Sequence, residues 1–360
     1  MTIQLKTGFW AGLVFILIAS TACSGGKDAN SDDSMEQSNS ITLVRNDSEK
    51  KVEVLVDGEL FTAYLYPETI AKPVLYPIKS ASGNDLTRGF PLAPRAGERV
   101  DHPHHIGIWF NYGDVNGLDF WNNSDAIAAD KKSGYGSIVH TDILSTRESR
   151  EGAELEVAAD WVASDGRILL KETTRFIFSS VGKKRVIDRI TTLTAEGQAV
   201  SFTDNKEGML GIRVARELEH PSTKPEIFTD ASGIATAVPT LNNEGVSGMY
   251  RSSEGIEGDD VWGTRGKWVN LTGEIKGEKL SMAIIDHPEN PGYPTYWHAR
   301  GYGLFASNTL GQKALSNGKE ELNFKLKDGE SVTFRYRIVV NSGISLDDEE
   351  LNQEFDSFNK

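Results

Sequence analysis

Two short stretches of this chain hold most of its acid–base chemistry. The first runs Asp101-His102-Pro103-His104-His105-Ile106-Gly107-Ile108-Trp109-Phe110 and continues into Asn116-Gly117-Leu118-Asp119-Phe120-Trp121. Imidazole titrates near neutral pH and can give or take a proton, so histidines beside carboxylates are the raw material of proton transfer. The second is Asp286-His287-Pro288-Glu289-Asn290-Pro291, which leads to Tyr296-Trp297-His298-Ala299-Arg300. No helix or strand demands such compositions, so the two stretches are expected to meet in one pocket.

Several residues follow as candidates. Glu207, in Lys206-Glu207-Gly208 with Asp204 and Arg213 nearby, is placed where neighbouring charges can tune a general base. His287 or His104 would be the acid. Arg265 and Arg300 could grip an oxygen or carboxylate in a forked geometry that Lys cannot supply. Trp262, Trp297 and Trp109 offer flat apolar faces with one polar edge, suited to the C–H face of a pyranose. Asn116, Lys206 and His298 add polar contacts around them. Each has a plainer reading: tryptophans that close a core, arginines in structural ion pairs, and Asp101 and Asp286 that orient a histidine or cap a turn. His104, His105, His287 and His298 could instead bind a divalent metal. The spacing matches no familiar zinc motif, so no cofactor is firmly implied and the metal stays an open alternative.

The elements that must position these groups read as strands. Alternating runs at 41–45, 52–56, 61–66, 137–147, 153–163, 167–179, 184–194, 267–271, 279–285, 321–326 and 331–340 have the period of a half-buried sheet. Asp57-Gly58, Glu151-Gly152, Asp165-Gly166 and Asp328-Gly329 supply turns between them. One helix is expected at 345–355, with Ser345 as its cap. So many strands without intervening helices predict an all-β fold, a large antiparallel β-sandwich with a short C-terminal helix. The chemistry would sit on loops at 90–121, 203–208, 259–268 and 286–302, where a rigid scaffold presents function.

A net charge of -14, with no basic stripe, argues against a nucleic-acid partner. At the amino end, Lys6 and the apolar run 8–19 precede Ser20-Thr21-Ala22-Cys23. That run is too short to span a bilayer, and it reads as a signal peptide over 1–22. Cys23, the only cysteine, would be lipidated, although Ser20 stands where such sites usually carry Leu. Residues 23–40 are rich in Ser, Asp, Asn and Gly, the composition of a tether, and 41–360 would form a single domain. The protein is thus expected at the bacterial cell envelope, periplasmic or on the outer membrane surface, held to the membrane by its lipid anchor.

In order along 60–340, the histidine segment, Asn116-Gly117-Leu118-Asp119-Phe120-Trp121, Lys206-Glu207-Gly208, Trp262-Gly263-Thr264-Arg265-Gly266-Lys267-Trp268 and the Asp286 segment resemble the bacterial proteins labelled the PmoA (methane oxygenase) family. A methane monooxygenase membrane subunit needs several apolar spans, and this chain has one, in its signal region. The all-β architecture with loop-borne His, Arg and acids is also similar, more distantly, to the galactose-mutarotase supersandwich, a fold that hosts epimerases, lyases and glycoside-processing domains. These resemblances imply a sugar or oligosaccharide partner. The expectation is a carbohydrate-active enzyme using His and Glu acid–base chemistry at or near an anomeric centre, as hydrolase, lyase or epimerase. A sugar-binding lipoprotein without catalysis and a metal-dependent enzyme built on the histidines stay open beside it.

Overall fold

Along Ala153–Ala163, buried Leu155, Val157, Ala159 and Trp161 alternate with more exposed residues. Successive side chains of a strand point to opposite faces, so this pattern buries one face against a partner and leaves the other wet. The computed structural model describes residues 38–360 and bears that reading out, with two antiparallel sheets of eight strands each. The signal segment and Cys23 lie outside the described residues. Of the expected tether, Ser38–Ser40 are described, and they are already tied to the fold: Ser38 bridges Val181, and Asn39 donates to the Ser180 carbonyl.

One sheet runs, in spatial order, Met249–Ser252, Trp268–Ile275, Glu278–Asp286, Ser331–Ser342, Lys184–Ala195, Ile168–Val181, Ala153–Ala163 and Gly136–Glu148. The other runs Ile41–Asn46, Lys51–Val56, Glu59–Leu65, Val74–Leu75, Ile108–Tyr112, Gly208–Arg213, Leu304–Asn308 and Tyr296–Arg300. A single apolar cluster draws on both, with Phe110 packed on Trp161 and Phe334 across the gap. The C-terminal helix spans Asp348–Phe358. Its cap is Asp347 and not Ser345: the Asp347 side chain accepts from the Glu350 amide while Glu350 returns to the Asp347 amide. That reciprocal box satisfies two donors at once, which a lone serine cannot do.

The expected loops need a larger correction. Ile108–Tyr112, Gly208–Arg213, Tyr296–Arg300 and Leu304–Asn308 are neighbouring strands of one sheet, with nearly every residue buried. Covered on both faces, they lose the alternation that marks a half-exposed strand. Registry then assigns their faces. Phe110, Leu210, Ser307 and Trp297 form a row facing the other sheet, and the next row, Trp109, Gly211, Ala306 and His298, faces the opposite way. Among the candidate groups, Trp109, His298 and Arg300 lie on this second face.

Candidate functional site

Gly211 explains how that face is built. A Cβ there would come within 2.5 Å of the Trp109 Cζ2, so glycine lets the indole lie flat across the middle strand. Above Trp109 the rings stack: His105 at 5.0 Å between centroids, His102 on His105 at 4.9 Å with planes 4° apart, and Tyr302 on His102 at 5.4 Å. Trp121 closes the pile edge-on against both Trp109 and His105. The stack begins in the apolar interior and runs out to His102, whose side chain is 42% exposed, and Tyr302.

Charge fixes the top of the stack. One Asp101 oxygen sits 2.6 Å from the His102 Nδ1, and the other accepts from both Arg88 and Arg213 at 2.6 Å. A carboxylate can only accept here, so the His102 Nδ1 carries a proton. Burial alone would raise the Asp101 carboxyl; the hydrogen bond from His102 and the charges of Arg213 and Arg88 hold it well below the ordinary carboxylate range. Arg213 also donates to the His105 Nδ1 at 3.3 Å. Both guanidiniums are almost wholly buried, and two cations share one anion.

His298 stands on the neighbouring part of the face. Its Nδ1 donates to the Lys206 carbonyl at 2.8 Å, which leaves Nε2 as a free acceptor. Burial lowers its pKa to about 4, against the opposing charge of Glu207, so the ring is neutral at physiological pH. Glu207 is paired with Lys206, and its other oxygen lies 3.8 Å from the His298 Nδ1. Trp262 meets His298 edge-on, and the Arg300 guanidinium lies 4.3 Å over the Trp262 ring.

Asp101, His102, Lys206, His298, Arg300 and Tyr302 line one open cleft with a cavity volume of about 690 Å³. His220 and Asp259 form its far side, with the His220 Nδ1 3.4 Å from the Asp259 carboxylate. Of the three imidazoles that line the cleft, His220 has both nitrogens engaged, by Asp259 and the Tyr250 amide, whereas His102 and His298 each have one nitrogen tied and the other without a protein partner among the described residues.

Several candidates fall elsewhere. His287 packs edge-on against Phe358 of the C-terminal helix, and its Nδ1 accepts from the Glu289 amide, so it is not part of the cleft. Asp286 beside it is buried and holds the following turn through Asn290 and the Thr295 amide. The fork of Arg265 is used up by Glu320 and by the carbonyls of Pro294 and Gly292. Trp297 is fully buried on the face turned toward the other sheet, and Trp109 is sealed beneath His105. Asn116 sits in a turn at φ 52°, where its amide pins Ala199 and Ser201. His104 is buried beside Lys72, which donates to its carbonyl; burial and the lysine charge push its pKa down to about 2. Among the described residues, no three His, Cys, Asp or Glu side chains gather as a metal site, so His104, His105, His287 and His298 do not converge on an ion.

The sequence reading missed two contributors. His102 was visible as Asp101-His102, the pairing that fixes its ring, but it was not distinguished from its neighbours. Tyr302 left no signal, since its role comes from stacking on a residue 200 positions earlier, a contact set by the fold.

Comparison with solved structures gives loose likenesses. A GH36 α-galactosidase, AgaB from Geobacillus stearothermophilus, is 11% identical over 84% of this chain and 41% of its own, at a TM-score of 0.40. The α-galactosidase from Lactobacillus brevis is 10% identical over 88% and 41%, at 0.39. A galactose mutarotase-like protein from Clostridium acetobutylicum is 10% identical over 84% and 99%, at 0.36. The chain spans about two fifths of the α-galactosidases' length, and no residue of the cleft is carried over from any of these. No curated protein matches the chain. The family model that does match covers residues 51–356 and is described as one of unknown function, without the methane-oxygenase label. With most of its folded length matched, the chain belongs to that family of unknown function, DUF6807.

Proposed function

We propose that the cleft is the active site of a carbohydrate-active enzyme that moves protons at or near the anomeric centre of a sugar. The observation that carries this reading is the pair of imidazoles, His102 and His298, that line one cleft, each with Nδ1 tied and Nε2 without a protein partner among the described residues. The His298 Nε2 is a free base held in one tautomer by the Lys206 carbonyl. His102 is braced by the Asp101 carboxylate, which fixes its ring orientation and leaves Nε2 directed away from the carboxylate, and we assign it the acid role. Two imidazoles oriented by different partners, one by a carboxylate and one by a carbonyl, can divide acid and base roles between them. The base role therefore moves from Glu207 to His298, and Glu207 sits behind the ring as a positioning carboxylate. The acid role moves from His287 and His104 to His102.

The sugar reading is supported by the lining. A cleft of about 690 Å³ has the volume of a small-molecule site, and its walls are mostly polar groups suited to hydroxyls, with the ring of Tyr302 among them. The reaction in question takes a proton from a hydroxyl or ring carbon and delivers one to a ring or glycosidic oxygen. Hydrolysis, elimination and epimerisation share that need.

The test is a panel of oligosaccharides incubated with wild type, His102→Gln and His298→Gln, read by product chromatography and by proton NMR of the anomeric signals. Turnover by wild type that falls by about 10²-fold or more in both variants supports the assignment. A His298→Gln protein with undiminished turnover sinks the base role. Tight binding without turnover across the panel selects the non-catalytic sugar-binding protein instead. We further propose that the chain is anchored at the bacterial cell envelope through Cys23. Retention of Cys23→Ser in the membrane fraction to the wild-type level would contradict it.

A further inference from the structure

We infer that the sugar taken by this cleft is anionic, carrying a carboxylate or sulfate oxyanion that Arg300 receives. The inference rests on the reading of the cleft as a sugar site and adds the chemical class of the sugar.

Its basis is the charge pattern around the cleft. On a chain with 52 acidic and 38 basic residues, most arginines near the site have found carboxylates. Arg88 and Arg213 share Asp101. Arg99 is held by Glu219 and Glu226, and Arg216 also reaches Glu219. Arg265, outside the cleft, is spent on Glu320 and two carbonyls. Lys206 pairs with Glu207. Arg300 alone among these has no ion pair and no acceptor for any guanidinium N–H among the described residues, although its side chain is half-buried and lines the cleft.

Arg300 is nevertheless held in place. Its guanidinium lies 4.3 Å over the Trp262 ring, an interaction that fixes the plane without consuming any of its five N–H donors. A guanidinium so placed is pre-organised for an oxyanion, because its flat fork matches a carboxylate or two oxygens of a sulfate. Asp259, which also lines the cleft, is 77% exposed and accepts from the Gly301 amide, with the same oxygen 3.4 Å from His220. Lys224, also in the lining, adds a further cation without a carboxylate partner among the described residues.

Position supplies the rest of the argument. Arg300 and His298 are two residues apart on one strand, so their side chains leave the same face about 7 Å apart. One sugar unit can therefore present its acid group to the guanidinium while a hydroxyl or ring position lies at the His298 Nε2. An uncharged sugar would fill the same space and leave the fork unanswered.

The experiment is titration calorimetry of the purified protein with three oligosaccharides of matched length: an oligogalacturonate, a sulfated chondroitin oligosaccharide and a neutral galacto-oligosaccharide. Wild type, R300Q and R300K are compared, with thermal unfolding as the control for folding. The expected result is that one or both acidic ligands bind at least about tenfold more tightly than the neutral one, with a preference that weakens as salt rises. R300Q should erase that preference, and R300K should keep only part of it, because an ammonium lacks the fork. Preference for the oligogalacturonate over the chondroitin ligand assigns the anion as carboxylate, and the reverse assigns sulfate. Equal affinity for neutral and acidic ligands, or a preference untouched in R300Q, overturns the inference. If the neutral ligand is then turned over in a His102- and His298-dependent way, the sugar reading survives without it. If no oligosaccharide binds wild type, the sugar reading itself falls.

Discussion

Asp101 holds His102 through one carboxylate oxygen, 2.6 Å from Nδ1, while its other oxygen neutralises two buried arginines. A single side chain thus aims the exposed imidazole and keeps two like charges together. Asp101→Asn preserves the shape but removes the anion that Arg88 and Arg213 share. Breaking a buried pair this way leaves uncompensated charge, and an expected loss of about 3 kcal/mol should be visible as a lower urea midpoint at pH 7.

The same group gives a pH signature. The folded carboxyl is held below its unfolded value, so its contribution is fully present above about pH 4 and is lost as pH falls toward the depressed folded value. Wild-type stability should decline through that acid range more steeply than that of Asp101→Asn. Parallel declines in the two proteins would contradict the linkage.

Asp286 acts with the opposite sign. Burial raises its carboxyl to about 7, although Asn290 and the Thr295 amide oppose the shift. Folding therefore favours the protonated form, and stability is greatest below the unfolded carboxylate range and is lost as pH rises through about 7. Between pH 5 and pH 8, wild type should lose on the order of 1–3 kcal/mol from this group. Asp286→Asn should flatten that part of the profile, measured by urea unfolding at each pH.

On the proposed assignment, the acid limb of catalysis belongs to His298. With a pKa near 4 it is neutral and able to accept a proton above that value, so activity should fall as pH drops through about 4. In Glu207→Gln the charge that favours the protonated ring is gone, and the limb should shift to lower pH. A limb that stays in place, recorded as kcat/KM against pH, would separate Glu207 from the imidazole.

Gly211→Ala tests the floor of the site. The added methyl would stand 2.5 Å from the Trp109 ring, and displacing a fully buried indole is expected to cost about 1–3 kcal/mol. Since the indole supports His105 and through it His102, the same variant should also lose turnover. Unchanged unfolding temperature and turnover would show that the stack does not need this close approach.

Much of the scaffold was legible in the sequence. The strands at Ala153–Ala163 and Lys184–Ala195 alternate over most of their length because one face of their sheet meets the core and the other meets water, and Ser331–Ser342 does so until its last residues, where the C-terminal segment covers the outer face as well. The neighbourhood of the site was legible as well, since the Asp101 and His298 segments do meet. Which residues meet within it was decided by the tertiary structure. Arg265 and Arg300 are each followed by glycine and look alike locally, yet Arg265 is consumed by Glu320, 55 positions away, while Arg300 stays free over Trp262. Trp297 and His298 are adjacent in sequence, and the pleat alone sends one toward the core and the other to the cleft. Residue type and spacing set what chemistry was available; registry between strands far apart in sequence set which groups face one another, because a shift of one residue reverses every side chain on a strand.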